Sequence, residues 1–109
     1  PTTTNDRMKK VVASSTGFIY YVSVAGVTGA RKQVSQQQIR PLALAKRLTD
    51  KPICVGFGIS TPDQVRSVAQ KCDGAIVGSA IIREITRHTG KKDLVKRTAG
   101  FVRRLAEVL

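Results

Sequence analysis

The amino-acid sequence predicts an α/β fold organised around a parallel sheet, and three observations carry that prediction. Short apolar runs of strand length alternate along the chain with longer stretches whose apolar residues recur at helical spacing. The strand runs, such as Ile53–Gly56 and Gly74–Val77, read as buried, as the strands of a parallel sheet do. Each run also ends in glycine-punctuated sequence, and two pass without a spacer into a helix start.

Taken in order, Met8, Val11 and Val12 give a short amphipathic helix over about Asn5 to Ser15, with Asn5 or Thr4 as its cap. Phe18–Ser23 is aromatic and β-branched and reads as the first strand. "VAGVTGARKQ" follows as a polar loop of about ten residues, longer than most connections. Ser35 and Gln38 have the spacing of a capping box, but Pro41 disfavours helical geometry at Arg40. The next helix is therefore expected from about Pro41 to Thr49, with a preceding turn as an option.

Pro52 precedes the second strand, Ile53–Gly56, whose exit is "STPDQV". Thr61 serves there as cap, Pro62 as the first helical residue, Asp63 as an acid near the positive helix end, and Gln64 closes the box. Val65, Val68, Ala69 and Cys72 then share one face. The third strand, Gly74–Val77, leads into Gly78-Ser79-Ala80 and a short apolar turn, Ile81–Glu84, which "TRHTGKK" breaks. A final helix over about Lys91–Leu109 carries Leu94, Phe101, Leu105 and Val108 on one stripe, with Val95, Val102 and Ala106 beside it. Strand–helix alternation of this kind implies right-handed parallel crossovers.

Composition narrows the classes. At 109 residues the chain can bury one core but not two. Its apolar runs are far too short for a membrane span, and no charged-apolar-small signal opens the chain, so neither membrane nor export is expected. Pro1 is not a start methionine, and the chain is read as a processed chain or a fragment. Cys54 and Cys72 are too few for a disulfide framework and read as small buried hydrophobes. His88, the only histidine, lies in a polar stretch, and no metal site is expected. Nineteen Lys and Arg against seven Asp and Glu give a formal charge of +12, which raises the question of a polyanion partner. The basic residues are spread along helical segments opposite their apolar stripes, with no dense block. They read as solvated helix faces, and no nucleic acid is expected.

Parallel strands put every strand-to-helix loop at one end of the sheet, so Gly26–Arg31, Phe57–Thr61 and Gly78–Ala80 gather there. Two of these loops run into helix starts, whose free N–H groups and dipole favour an anion. A phosphate fits: Gly58 and Gly78 let the backbone approach, and Ser79 adds a hydroxyl. In (β/α)8 barrels the loops after the last two strands, with a short extra helix, form such a site. The turn at Ala80–Glu84 would be that helix. Any one of these glycines could equally serve a tight turn alone.

"PTTTNDRMKKVV", "GFIYYVSVAGVTGAR", "VGFGIS" and "GAIVGSAI", in that order, closely resemble the later part of the tryptophan synthase alpha family, over essentially the whole chain. The resemblance implies part of a (β/α)8 TIM barrel and a lyase of tryptophan biosynthesis that cleaves indole-3-glycerol phosphate to indole and glyceraldehyde 3-phosphate. It implies a cytoplasmic protein, or a plastid one in a plant. The chain itself would need no cofactor. Its implied partner, the beta subunit in an alpha-beta-beta-alpha complex, carries pyridoxal phosphate and receives indole through a tunnel.

Carried over by motif, Gly29, Gly58, Gly78 and Ser79 match the phosphate-binding positions. Gly56, Phe57 and Ile76 belong to the substrate pocket, with Phe57 and Val22 beside the indole. Tyr20 matches the strand tyrosine that touches substrate and orients a catalytic carboxylate, and Thr28 the threonine of the loop that closes over the site.

Departure from the family pattern is large. A full barrel takes eight units and about 250 residues, whereas this chain offers three strands as the carboxyl-terminal part of one domain. The family's glutamate and aspartate, its general acid and base, come from the earlier half. Asp6, Asp50, Asp63, Asp73, Glu84, Asp93 and Glu107 all fall on helices, at helix ends or at the far end of the sheet. The expectation is a phosphate clamp without its acid–base chemistry, inactive alone. Two alternatives stand beside it: a non-catalytic basic half-barrel that binds phosphate or a polyanion, and a barrel enzyme acting on another sugar phosphate. The first and third strands are expected as open edges, covered by self-association, by the missing half, or by the terminal helix.

Overall fold

The computed structural model describes residues 3–22, 36–56 and 58–109, with the backbone alone for 36–40. Its elements run α1 (Asn5–Ser14), β1 (Ile19–Val22), α2 (Gln36–Leu48), β2 (Ile53–Gly56), α3 (Pro62–Ala69), β3 (Gly74–Ile76), α4 (Ser79–Arg87) and α5 (Leu94–Ala106). The three strands form one parallel sheet in the order β1-β2-β3. The first and third strands are therefore its edges, as expected.

Register divides the sheet into two unlike faces. Ile19 pairs with Ile53, Tyr21 with Val55, and Val55 with Ala75, so these side chains share one face. Ile53 and Val55 are 1% and 3% exposed there, packed with Met8, Val12, Leu42, Ala45, Val65, Val68 and Leu105 from the helices. The opposite face carries Tyr20, Val22, Cys54, Gly56, Gly74 and Ile76, and Tyr20 on it is 51% exposed. Among the described residues, the buried helical core packs on the first of these faces.

Local chemistry explains most boundaries. The Thr4 hydroxyl caps α1 by accepting from the Arg7 amide at 3.4 Å, and Met8 and Val12 turn inward one helical turn apart, while Val11 stays exposed. At α3 the box forms in full: Thr61 Oγ1 accepts from the Gln64 amide at 3.3 Å, and Gln64 Oε1 accepts from the Thr61 amide at 3.2 Å. Asp73 braces the amino-terminal end of the sheet, with its carboxylate accepting from the Ile53 amide at 2.9 Å.

Three helices differ from the sequence reading. Expected from Pro41, α2 instead begins at Gln36 and carries Pro41 inside it. The cost is one backbone hydrogen bond; Leu42 and Ala45, 5% and 2% exposed, anchor the helix beyond the proline. Ser35, the expected cap, lies outside the described residues. The short turn expected at Ile81–Glu84 is a nine-residue helix, α4, running through Thr86 and Arg87. Thr86 and Thr89 hydroxyls donate to the carbonyls of Ile82 and Ile85, one turn back, and Gly90, at φ +82°, marks the reversal. The final helix starts at Leu94, after Asp93, not at Lys91, and ends at Ala106. It packs against α3 and α4 with Leu105 in the core. It therefore does not cover the open face, and Val95, expected beside its apolar stripe, is 79% exposed.

Candidate functional site

β2 and β3 end side by side, and the chain leaving each passes over the carboxyl end of the sheet. Gly58 turns the exit of β2 at φ +76°, a left-handed conformation that glycine enters without penalty. Gly78 caps α4 directly after β3. A cavity of about 370 Å³ opens between them, lined by Tyr20, Gly58, Ile59, Ile76, Gly78, Ser79 and Arg83. The structure thus brings together Tyr20, Gly58, Ile76, Gly78 and Ser79 from three separate stretches.

The two helix starts beside this cavity are not equivalent. At α3, Gln64 Oε1 accepts from the Ser60 amide at 2.8 Å as well as from Thr61, so that end is satisfied internally. At α4 no side chain caps the helix, and a Cβ added to Gly78 would meet nothing within 4 Å. Free donors, a serine hydroxyl and open space coincide at α4 alone. A small anion is accommodated there better than at α3.

Gly56 serves a different end. It lies under the Tyr20 ring, and a Cβ built on it would fall 2.6 Å from the phenolic oxygen. Only a residue without a side chain leaves room for that ring. Val22 lines a separate hollow of about 190 Å³ between α1, β1 and α2, which Tyr20 also borders. Phe57, Thr28 and Gly29 lie outside the described residues, as does the Gly26–Arg31 loop.

All seven carboxylates fall within the described residues, and none lines the cavity. Glu84, next to Arg83 in sequence, turns into the α4–α5 side. Its Oε1 lies 3.0 Å from His88 Nε2 and its Oε2 lies 3.3 Å from Arg87. His88, placed by sequence in a polar stretch, is 6% exposed. An i, i+4 partner at Glu84 was the signal for this burial. Cys72 is buried as expected, and burial pushes its thiol pKa up. Cys54 is only partly buried, because it sits on the open face.

Arg83 and Ile59 are the lining residues that the sequence reading missed. For Arg83 the signal was spacing: it stands four residues after Ser79 and so on the same face of α4. Reading α4 as a short turn concealed that relation.

Comparison with known proteins gives concordant results. The sequence model of the family described as tryptophan synthase alpha chain matches residues 1–109. The tryptophan synthase alpha chain of Geobacter sulfurreducens is 44% identical over 109 residues, covering 100% of this chain and 41% of that protein. The crystal structure of tryptophan synthase subunit alpha from Legionella pneumophila superposes with a TM-score of 0.77 at 31% identity, over 99% of this chain and 39% of that one. A tryptophan synthase from M. tuberculosis, in an aminoacrylate-bound form, superposes at 0.72 and 30% identity, over 99% of this chain and 37% of that one. The chain spans about two fifths of the length of the proteins it matches here.

Proposed function

From the premise that the chain belongs to the tryptophan synthase alpha chain family, we propose that it is the phosphate-holding, carboxyl-terminal part of a TIM-barrel lyase. The substrate would be indole-3-glycerol phosphate, and the pathway tryptophan biosynthesis. The observation that carries this reading is the cavity at the carboxyl end of the sheet, where Gly58, Gly78 and Ser79 meet beside an uncapped helix start. Such an end favours a phosphate group and is where barrel enzymes place it.

Cleavage to indole and an aldehyde requires the glycerol hydroxyl beside the ring to lose a proton and the ring carbon to gain one. Both transfers call for a positioned acid and base. Among this chain's residues Tyr20 borders the cavity and could align a carboxylate, but it supplies none. The acid and base would come from the other strands of the barrel. Each such group contributes about 10²–10⁴ in rate, so the 109-residue chain alone is expected to release no indole. The beta subunit, with its pyridoxal phosphate, would be the partner that consumes the indole. No cofactor is assigned to this chain.

Two measurements test the reading. Titration with inorganic phosphate should shift the backbone amides of Gly58, Gly78 and Ser79, and a valine at position 78 should abolish those shifts while the same change at Gly100 leaves them intact. Indole release from indole-3-glycerol phosphate should appear only when an amino-terminal barrel segment is added. Release by the purified chain alone, or phosphate binding unaffected by Gly78→Val, would defeat it.

A further inference from the structure

Phosphate held only by main-chain amides lacks a full counter-charge, and the cavity contains a residue placed to supply one. Arg83 lines it together with Gly58, Gly78 and Ser79. It stands one turn after Ser79 on the nine-residue α4, and long side chains on a helix lean back toward its start. The guanidinium is thereby directed toward the uncapped end that would hold the anion.

Arg83 is also uncommitted. On the same helix, Glu84 is already engaged by Arg87 at 3.3 Å and His88 at 3.0 Å, and none of the three lines the cavity. Among the described residues Arg83 makes no ion pair, and no carboxylate lines the cavity to neutralise it. Among the described residues, an arginine without an ion pair at a cavity lined by no carboxylate, beside N–H groups without a hydrogen-bond acceptor, matches a tetrahedral dianion, to which a guanidinium can donate two parallel hydrogen bonds.

We propose, resting on the phosphate-site reading above, that Arg83 is the charge-selecting residue of this cavity: it contacts the phosphate of a phosphate monoester and makes the site prefer a dianion to a monoanion of the same shape. The backbone amides fix position and geometry, and Arg83 reads the second negative charge.

Methyl phosphate, largely dianionic at pH 7.5, and methyl sulfate, a monoanion of nearly the same shape, separate these roles. Their dissociation constants are measured on the 109-residue chain from the amide shifts of Gly58, Gly78 and Ser79 at constant ionic strength. The wild-type chain should favour methyl phosphate. Arg83→Gln should weaken methyl phosphate about tenfold and methyl sulfate far less, collapsing the preference. Arg83→Lys should keep most of it, since the charge remains. A merely structural role would weaken both ligands alike and would not be rescued by lysine. Arg83 is exposed, so Arg83→Gln should leave the far-ultraviolet circular dichroism unchanged. If Arg83→Gln retains the wild-type preference while Gly78→Val abolishes binding, the assignment of Arg83 is overturned and the phosphate site stands. If methyl phosphate moves none of the three amides in the wild-type chain, the site itself is wrong and the assignment falls with it.

Discussion

Replacing Gly56 with alanine tests whether the Tyr20 ring is held where the structure puts it. The added methyl would lie 2.6 Å from the Tyr20 hydroxyl oxygen and 2.9 Å from Cζ, well inside ordinary contact. Tyr20 is 51% exposed, so its ring can swing outward instead of forcing the sheet apart. Overpacking with such an escape should cost about 1–2 kcal/mol. In a Tyr20→Ala background the obstacle is gone, and alanine in a strand is favoured over glycine by about 0.5–1 kcal/mol. The substitution should therefore change sign, with a coupling of about 2 kcal/mol between the two sites. Urea denaturation of the wild type, both single variants and the double variant measures it, provided the m-value is unchanged across the set. Additivity to within about 0.3 kcal/mol would mean that the ring does not rest on Gly56, and the placement of Tyr20 at the cavity would be refuted.

Further substitutions probe the rest of the site and its frame. Gly58→Ala, at φ +76°, should lower stability by about 1–2 kcal/mol in the same urea assay. Gly100→Ala in α5 should raise stability by about 0.5–1 kcal/mol, because its Cβ would meet only Arg104 Nη1 at 3.6 Å. Under native conditions a thiol reagent should modify Cys54 first; Cys72 is 8% exposed and donates to the carbonyls of Val68 at 3.2 Å and Gly74 at 3.0 Å. Burial raises the Cys72 pKa, so its labelling should accelerate only at a higher pH than that of free cysteine, and equal rates for the two thiols would contradict their placement.

Legibility in the sequence followed the range of the interactions. The strands and α3 were readable because their determinants are local: β-branched runs, and a threonine, proline and glutamine at fixed offsets around a helix start. Parallel pairing followed from alternation alone. α2 was misjudged because Pro41 is a strong local signal that packing at Leu42 and Ala45 overrides. α4 was shortened for a related reason. Its last turn is polar in sequence, but the two threonines bond back to the helix and His88 folds onto Glu84, so polarity there does not mark an end. The glycines of the cavity were visible because backbone demands show in sequence. The arginine was not, since its relation to Ser79 exists only once the helix does.

None of the seven acids lines the cavity, and four of them have partners elsewhere. Asp63 lies in the first turn of α3 near Arg66, and Asp73 braces β2. Glu84 pairs with His88 and Arg87, and Asp93 with Arg97, whose hydrogen bond holds the Asp93 carboxyl below the usual range. Of these contacts, the Asp73 and Glu84 ones are partly or largely buried, whereas the Asp63 and Asp93 pairs lie at the surface. The cavity, by contrast, is built from the exits of β2 and β3 and the start of α4, all positioned by one sheet whose helical side is already packed. Closing a barrel would change the other face, where Tyr20 is exposed and Cys54 only partly buried. Under the proposed function, holding the phosphate and performing the chemistry would depend on different parts of the fold. Phosphate binding would draw on order on the helical side of this chain, and proton transfer on strands added to its open side. On the proposed function, this arrangement predicts a retained phosphate site without indole release, the outcome that the two measurements on the 109-residue chain would check.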